Sequence, residues 1–143
     1  MIDENISTNI DLNDAWYRTS VKALIYNQDW DVLLCKEENW AWDLPWGWLD
    51  HWEDIEICIK REIKEEMWLN VLSIQESPVC FVTAHKWLSK ARPWIANICY
   101  KIEVENLDFI PSDECIEIWF FNKNNISELK TISNVNIIFE KIF

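Results

Sequence analysis

Residues 44–69 read Leu44-Pro45-Trp46-Gly47-Trp48-Leu49-Asp50-His51-Trp52-Glu53, then, after 54–60, Arg61-Glu62-Ile63-Lys64-Glu65-Glu66-Met67-Trp68-Leu69. The spacing predicts a helix over 53–67, with Asp54 and Glu56 placed favourably in its first turn. At about 100° per residue, Ile55, Cys58, Ile59 and Ile63 form an apolar stripe that faces a core. Glu62 and Glu66 project along that stripe, on either side of the direction of Ile55, with Glu65 beside them. Carboxylates seldom point inward without a partner. Glu62, Glu65 and Glu66 would repel one another in a low-dielectric cleft unless a cation held them, and an all-oxygen set suits Mg2+ or Mn2+ rather than zinc or copper. The alternative is a solvated acidic face paired with Lys60, Arg61 and Lys64. Lys60 and Lys64 lie on the opposite side of the helix, which disfavours it.

The same stretch resembles the Nudix box, G-x5-E-x7-R-E-U-x-E-E-x-G-U, where U is a bulky aliphatic residue. Gly47, Glu53, Arg61, Glu62, Ile63, Glu65, Glu66 and Leu69 fall in register, so eight of nine fixed positions match and Trp68 stands at the ninth. Family members often read W-x-L-P-G-G before the box and G-E inside it. Here Trp42-Asp43-Leu44-Pro45 matches, Trp46 stands where the first glycine belongs, and Trp52 precedes Glu53.

Those substitutions belong to a wider pattern. The chain has 143 residues, eleven tryptophans and one glycine. A soluble domain carries glycine at about 7%, which for this length is roughly ten. Trp30, in Asn27-Gln28-Asp29-Trp30-Asp31, lies where a hairpin wants Asp-Gly. Trp40, in Glu38-Asn39-Trp40-Ala41, sits where Asn-Gly is the natural pair. Trp30, Trp40, Trp46, Trp52 and Trp68 therefore occupy positions that favour a residue without a Cβ. The pattern predicts a gene that spells glycine with UGA, read by a table in which UGA means tryptophan. Trp16, Trp42 and Trp94 read as authentic tryptophans, and Trp48, Trp87 and Trp119 stay open.

The resemblance implies an α/β fold, a Nudix-like α/β/α sandwich with a mixed β-sheet and a catalytic loop-helix-loop. It implies that Glu62, Glu65 and Glu66 are the metal ligands and help to activate water, with Glu53 a further carboxylate at the helix N-terminus. Arg61 would orient these groups by bidentate pairing, a task lysine does poorly. Gly47 and position 46 would let the backbone approach a diphosphate. The reaction implied is hydrolysis of the pyrophosphate bond of a nucleoside diphosphate linked to another moiety, such as ADP-ribose or a nucleotide sugar, with Mg2+ or Mn2+. The runner-up is a nucleoside triphosphate pyrophosphatase of the housecleaning type. Literal tryptophans at 46, 52 and 68 would instead suit a catalytically impaired nucleotide-binding module.

Outside the box, Glu114 and Glu117 resemble a segment that often supplies an extra base or ligand, and ordinary loop acids explain them equally well. Arg18 and Tyr17, with Trp94 and Phe81, are candidates to pair with a phosphate or stack on a base, though core packing explains the aromatics better. His85 reads as a loop residue.

A net charge of −12 argues against binding a nucleic acid polymer, since no Lys/Arg cluster supplies a basic stripe. The five cysteines are widely spaced in apolar runs and read as reduced core residues of a cytoplasmic protein. The polar start predicts no signal peptide, and no run is long enough to span a membrane. A polar lead-in over 1–15 and one domain over 16–143 are expected, with a homodimer left open. Strands are predicted over 20–26, 31–36, 70–84, 93–104 and 115–121. A basic loop is expected over 85–92, a helical turn over 126–129 and a closing helix over 134–143.

Overall fold

Apolar residues on both faces of one strand demand a layer on each side. The strand β1 (Arg18–Leu24) meets that condition, with Val21, Ala23 and Leu24 all buried. The computed structural model describes residues 17–85, 94–131 and 133–143. After β1 come β2 (Val32–Lys36), β3 (Trp42–Asp43), β4 (Trp46–Trp48), helix α1 (Ile55–Met67), β5 (Val71–Ile74), β6 (Cys80–His85), β7 (Trp94–Val104) and β8 (Glu117–Phe121). A 3-10 turn (Ile126–Glu128) and helix α2 (Ser133–Ile142) follow.

The long strand β7 organises a mixed five-stranded sheet. It runs parallel to β1, from Arg18↔Ile95 to Leu24↔Lys101, and β4 adds antiparallel to the far edge of β1. The other edge of β7 takes both β6 and β5, antiparallel, end to end. The strand predicted over 70–84 is therefore two strands. Pro78, which has no N–H to give a ladder, sits in the interruption. A second, antiparallel sheet has the order β3-β2-β8.

Two apolar clusters complete the layers. One joins Cys58, Ile59, Ile63 and Met67 of α1 to Val21, Ala23, Leu33, Cys35 and Ile102. The other joins Val135, Ile138 and Phe139 of α2 to Leu24, Leu34, Leu44, Val82 and Phe121. A helix on either side of the strands makes the expected α/β/α sandwich. The candidate core cysteines are free thiols, with Cys35, Cys58, Cys99 and Cys115 buried.

Asp54 caps α1 rather than lying in its first turn, its carboxylate accepting the Ile57 N–H at 2.8 Å. At the other end Trp68 takes the left-handed conformation, φ 59°, and donates its N–H to the Lys64 carbonyl. Trp30 (φ 63°), Trp40 (67°) and Trp52 (70°) do the same, and among the described residues every non-glycine with positive φ is a tryptophan. Each sits in a turn that requires it. Trp30 N–H donates to Asn27 O and Trp40 N–H to Glu37 O, tight turns completed by a left-handed residue. Trp52 is the third residue of the turn closed by Glu53 N–H on Asp50 O, where a positive φ selects glycine. For an L residue with a Cβ this conformation costs roughly 1–2 kcal/mol.

Candidate active site

Three carboxylates converge where β4, α1 and the 112–115 turn meet. Oxygens of Glu62, Glu66 and Glu114 lie within 4.8 Å of one another. Helical spacing sets the first two on one side of α1. Glu114 comes from a tight turn closed by reciprocal bonds between Ser112 and Cys115, at 2.9 and 3.1 Å. That turn is fastened to the end of α1, because Ser112 Oγ donates to the Glu66 carbonyl at 2.7 Å and Ile110 N–H donates to the Met67 carbonyl at 3.0 Å.

Glu66 is buried, and its Oε2 has no hydrogen-bond partner. Burial, then repulsion from Glu62 and Glu114, raises its pKa well above the ordinary value, while the main-chain amide of Trp46 opposes the shift. Glu62 is half-buried and raised by burial, with Arg61 pulling it back. A repelling set that runs from the exposed Glu114 to the buried Glu66, with an unpartnered oxygen at its buried end, fits a bound cation better than it fits an ion pair. All donors are carboxylate oxygens, which suits a hard divalent ion.

Arg61 spans the next layer. Its Nε and Nη2 grip both oxygens of Glu53 at 2.8 Å, Nη1 donates to Glu62 at 2.6 Å, and Nη2 reaches the Trp48 carbonyl at 3.3 Å. This fork holds the Glu53 pKa down to about 2 and raises that of Arg61. Glu53 also accepts the Asp50 N–H at 3.0 Å, so it ties the loop to the helix.

Gly47 lies in β4 directly against Glu62. A Cβ built on it would coincide with the Glu62 side chain, so the glycine serves a close approach and not a positive φ.

The cleft holds about 480 Å³ and is lined by Trp46, Gly47, Trp48, Glu62, Glu66 and Glu114, together with Glu37, Glu38, Asn39 and Asp113. Trp46 stands edge-on to Trp48, 4.9 Å between centroids, with Lys22 Nζ 4.9 Å from the Trp46 ring. The Arg18 guanidinium lies 4.2 Å from the Trp48 ring.

Glu62, Glu66 and Glu114 are thus brought together, and Gly47, Trp46 and Arg61 surround them. Glu65 is not in the converging set: it is exposed, 3.5 Å from Arg61. Glu117 points away and pairs with Lys36 at 3.2 Å. Tyr17, Phe81 and Trp94 are exposed and outside the cleft lining. The basic loop beyond His85 lies outside the described residues, as does Trp87. No motif marks Glu37, Glu38, Asn39 or Asp113 in the sequence as cleft residues, and Glu38-Asn39 reads there only as part of a turn.

No described helix is long and apolar enough to cross a membrane. A sequence search among curated proteins finds no match. Solved structures share the fold. A MutT protein from Methanosarcina mazei superposes with TM-score 0.73 at 21% identity, covering 88% of this chain and 92% of its own. An ADP-ribose pyrophosphatase from Streptococcus suis gives 0.66 at 23% identity, covering 89% and 87%. The NUDIX domain of Shewanella oneidensis NrtR, solved with ADP ribose, gives 0.61 at 17% identity, covering 99% and 96%. The sequence profile of the NUDIX domain matches residues 16–134. With the profile spanning most of its length, the chain belongs to the Nudix family.

Proposed function

We propose that the chain hydrolyses the pyrophosphate link of a nucleoside diphosphate joined to a second moiety, of the ADP-ribose or nucleotide-sugar class, using Mg2+ or Mn2+. The observation that carries this is the convergence of Glu62, Glu66 and Glu114 with one buried Glu66 oxygen lacking a partner. These three carboxylates would hold the cation, which would neutralise the diphosphate oxygens and lower the pKa of the attacking water. Glu65, exposed and 3.5 Å from Arg61, is the candidate to join the ligand set or to accept the proton from that water. The water oxygen bonds to phosphorus and the bridging P–O bond breaks, leaving a nucleoside monophosphate and the phosphorylated second moiety. Arg61 keeps Glu62 and the Glu53 loop in place, and Gly47 lets the strand backbone approach the cluster. Arg18 over Trp48 offers a cationic, flat surface at one edge of the cleft for a phosphate or a base.

The names of two structural neighbours, a pyrophosphatase of ADP-ribose and a domain solved with ADP ribose, support that substrate class. One domain over 16–143 forms the unit. The test is hydrolysis of ADP-ribose, nucleotide sugars, dinucleoside polyphosphates and nucleoside triphosphates with Mg2+ and Mn2+, with products identified chromatographically. Nucleoside monophosphate from the first two classes is expected. Turnover of triphosphates alone, releasing pyrophosphate, would overturn the substrate class.

A further inference from the structure

We propose that the native residue at positions 30, 40, 46, 52 and 68 is glycine, specified by a codon that the written sequence renders as tryptophan. The backbone carries this independently of the motif. Among the described residues, all four non-glycine residues with positive φ are tryptophans, and they are the four that turn and helix-end chemistry assigns to glycine. Tryptophan has no special tolerance for this region, unlike asparagine or aspartate. Exposure points the same way. The side chains of Trp30, Trp40, Trp52 and Trp68 are exposed, with Trp52 at 103%, whereas Trp42 is buried beside Phe121 in the core. The Trp52 ring gains nothing from burial, Trp30, Trp40 and Trp68 stay 59–65% exposed, and Trp68 occupies the left-handed cap of the helix that carries the carboxylates.

Position 46 has no positive φ and is argued from the cleft. Its ring lies against Trp48 and over Lys22, with its indole facing the Glu37 carboxylate. A glycine there opens the space between the two cleft walls beside Gly47.

Peptide masses of the protein isolated from its own source decide the matter, and the cleavage sites are well placed. Trypsin releases 23–36, containing position 30, and 65–86, containing position 68. It also releases 37–60, which contains positions 40, 46 and 52 beside Trp42 as an internal control. The expected result is glycine at the five positions and tryptophan at 42. Tryptophan at any of the four positive-φ positions overturns the inference, whatever the activity of the protein. Tryptophan at 46 alone overturns it for the cleft.

A second observation stands apart from these. The geometry points to Lys22 and Asp43 as positioning residues for the carboxylate site, an inference that rests on the proposed metal-dependent function. Both are buried, with Lys22 Nζ 3.3 Å from Asp43 Oδ1, and that oxygen also accepts the Leu44 N–H at 2.7 Å. The pair ties β1 of the larger sheet to β3 of the smaller one, at the corner immediately before Gly47. A well-packed apolar pair would serve stability as well or better. The directional pair instead fixes the corner that brings Gly47 against Glu62 and the Trp46 amide toward Glu66.

The test uses the double variant Lys22→Met/Asp43→Leu, since either single change strands a buried charge. Its thermal midpoint is expected to equal or exceed that of the parent. Mn2+ affinity, measured by calorimetry without substrate, and kcat should each fall at least tenfold. Parental Mn2+ affinity and kcat in a folded double variant overturn the positioning role. Absence of Mn2+ binding and of hydrolysis in the parent itself overturns the functional reading instead. A double variant that does not fold shows the pair to be structural and likewise overturns the positioning role.

Discussion

Gly47 and Glu62 meet in one space: the strand backbone at 47 lies where any side chain would displace the glutamate that reaches the carboxylate cluster. Gly47→Ala should therefore push Glu62 out of the set while leaving both core clusters untouched. A displacement of this kind costs about 100-fold in turnover. Steady-state kinetics together with a Mn2+ titration should show both falling, and parental values would mean Glu62 has an alternative seat.

Glu66→Gln should separate stability from catalysis. The folded protein holds the Glu66 pKa above its unfolded value, so between those values the native state binds more protons than the unfolded one. Without divalent ions, stability contributed by this group is present below the unfolded pKa and declines as pH rises toward the folded one. Glu66→Gln should flatten that decline and raise the metal-free midpoint at pH 7. It should also lower kcat by roughly 10²–10⁴-fold and abolish stabilisation by Mg2+. Thermal melts with and without Mg2+ across pH 4–8 read this directly.

Glu53 has the opposite sign. Arg61 lowers its pKa to about 2, so its contribution is present above the unfolded value near 4.5 and is lost as pH falls toward 2. Urea unfolding in that acid window should be less pH-dependent for Glu53→Gln than for the parent. Arg61→Lys, which cannot hold both Glu53 oxygens and Glu62 at once, should lower kcat despite keeping the charge.

Trp→Gly changes in the chain as written should stabilise it, each by about 1–2 kcal/mol less whatever contact the ring makes. Trp52→Gly should gain most, since its ring is fully exposed. Trp30→Gly should gain least, because its ring packs edge-on to Tyr26 and lies 4.9 Å from Lys101 Nζ. Urea midpoints of the single variants test the ranking, and equal or negative effects at Trp52 would contradict the strain argument.

The box residues, the helix and the α/β/α layering were legible because each rests on local spacing. A helix period puts Glu62 and Glu66 on the core side wherever α1 lies, and turn chemistry marks a left-handed residue before any contact is known. Glu53 was read correctly as sitting at the helix N-terminus, but the cap is Asp54, a distinction of one residue that only the hydrogen bonds to the first turn decide.

Long-range placement was not legible. Nothing local distinguishes Glu114 from Glu117, which are three residues apart. The 112–115 turn aims one into the cleft, and antiparallel pairing of β8 with β2 turns the other to Lys36. The presence of Glu114 in the converging set, the place of Glu37 in the cleft lining and the Lys22–Asp43 tie likewise join residues far apart in the chain. The sequence by itself determined the family, the carboxylate-bearing helix and which turns take a left-handed residue, because backbone geometry and helical period act over a few residues. Only the tertiary structure decided which carboxylates share one site, because that depends on how separate strands and loops meet.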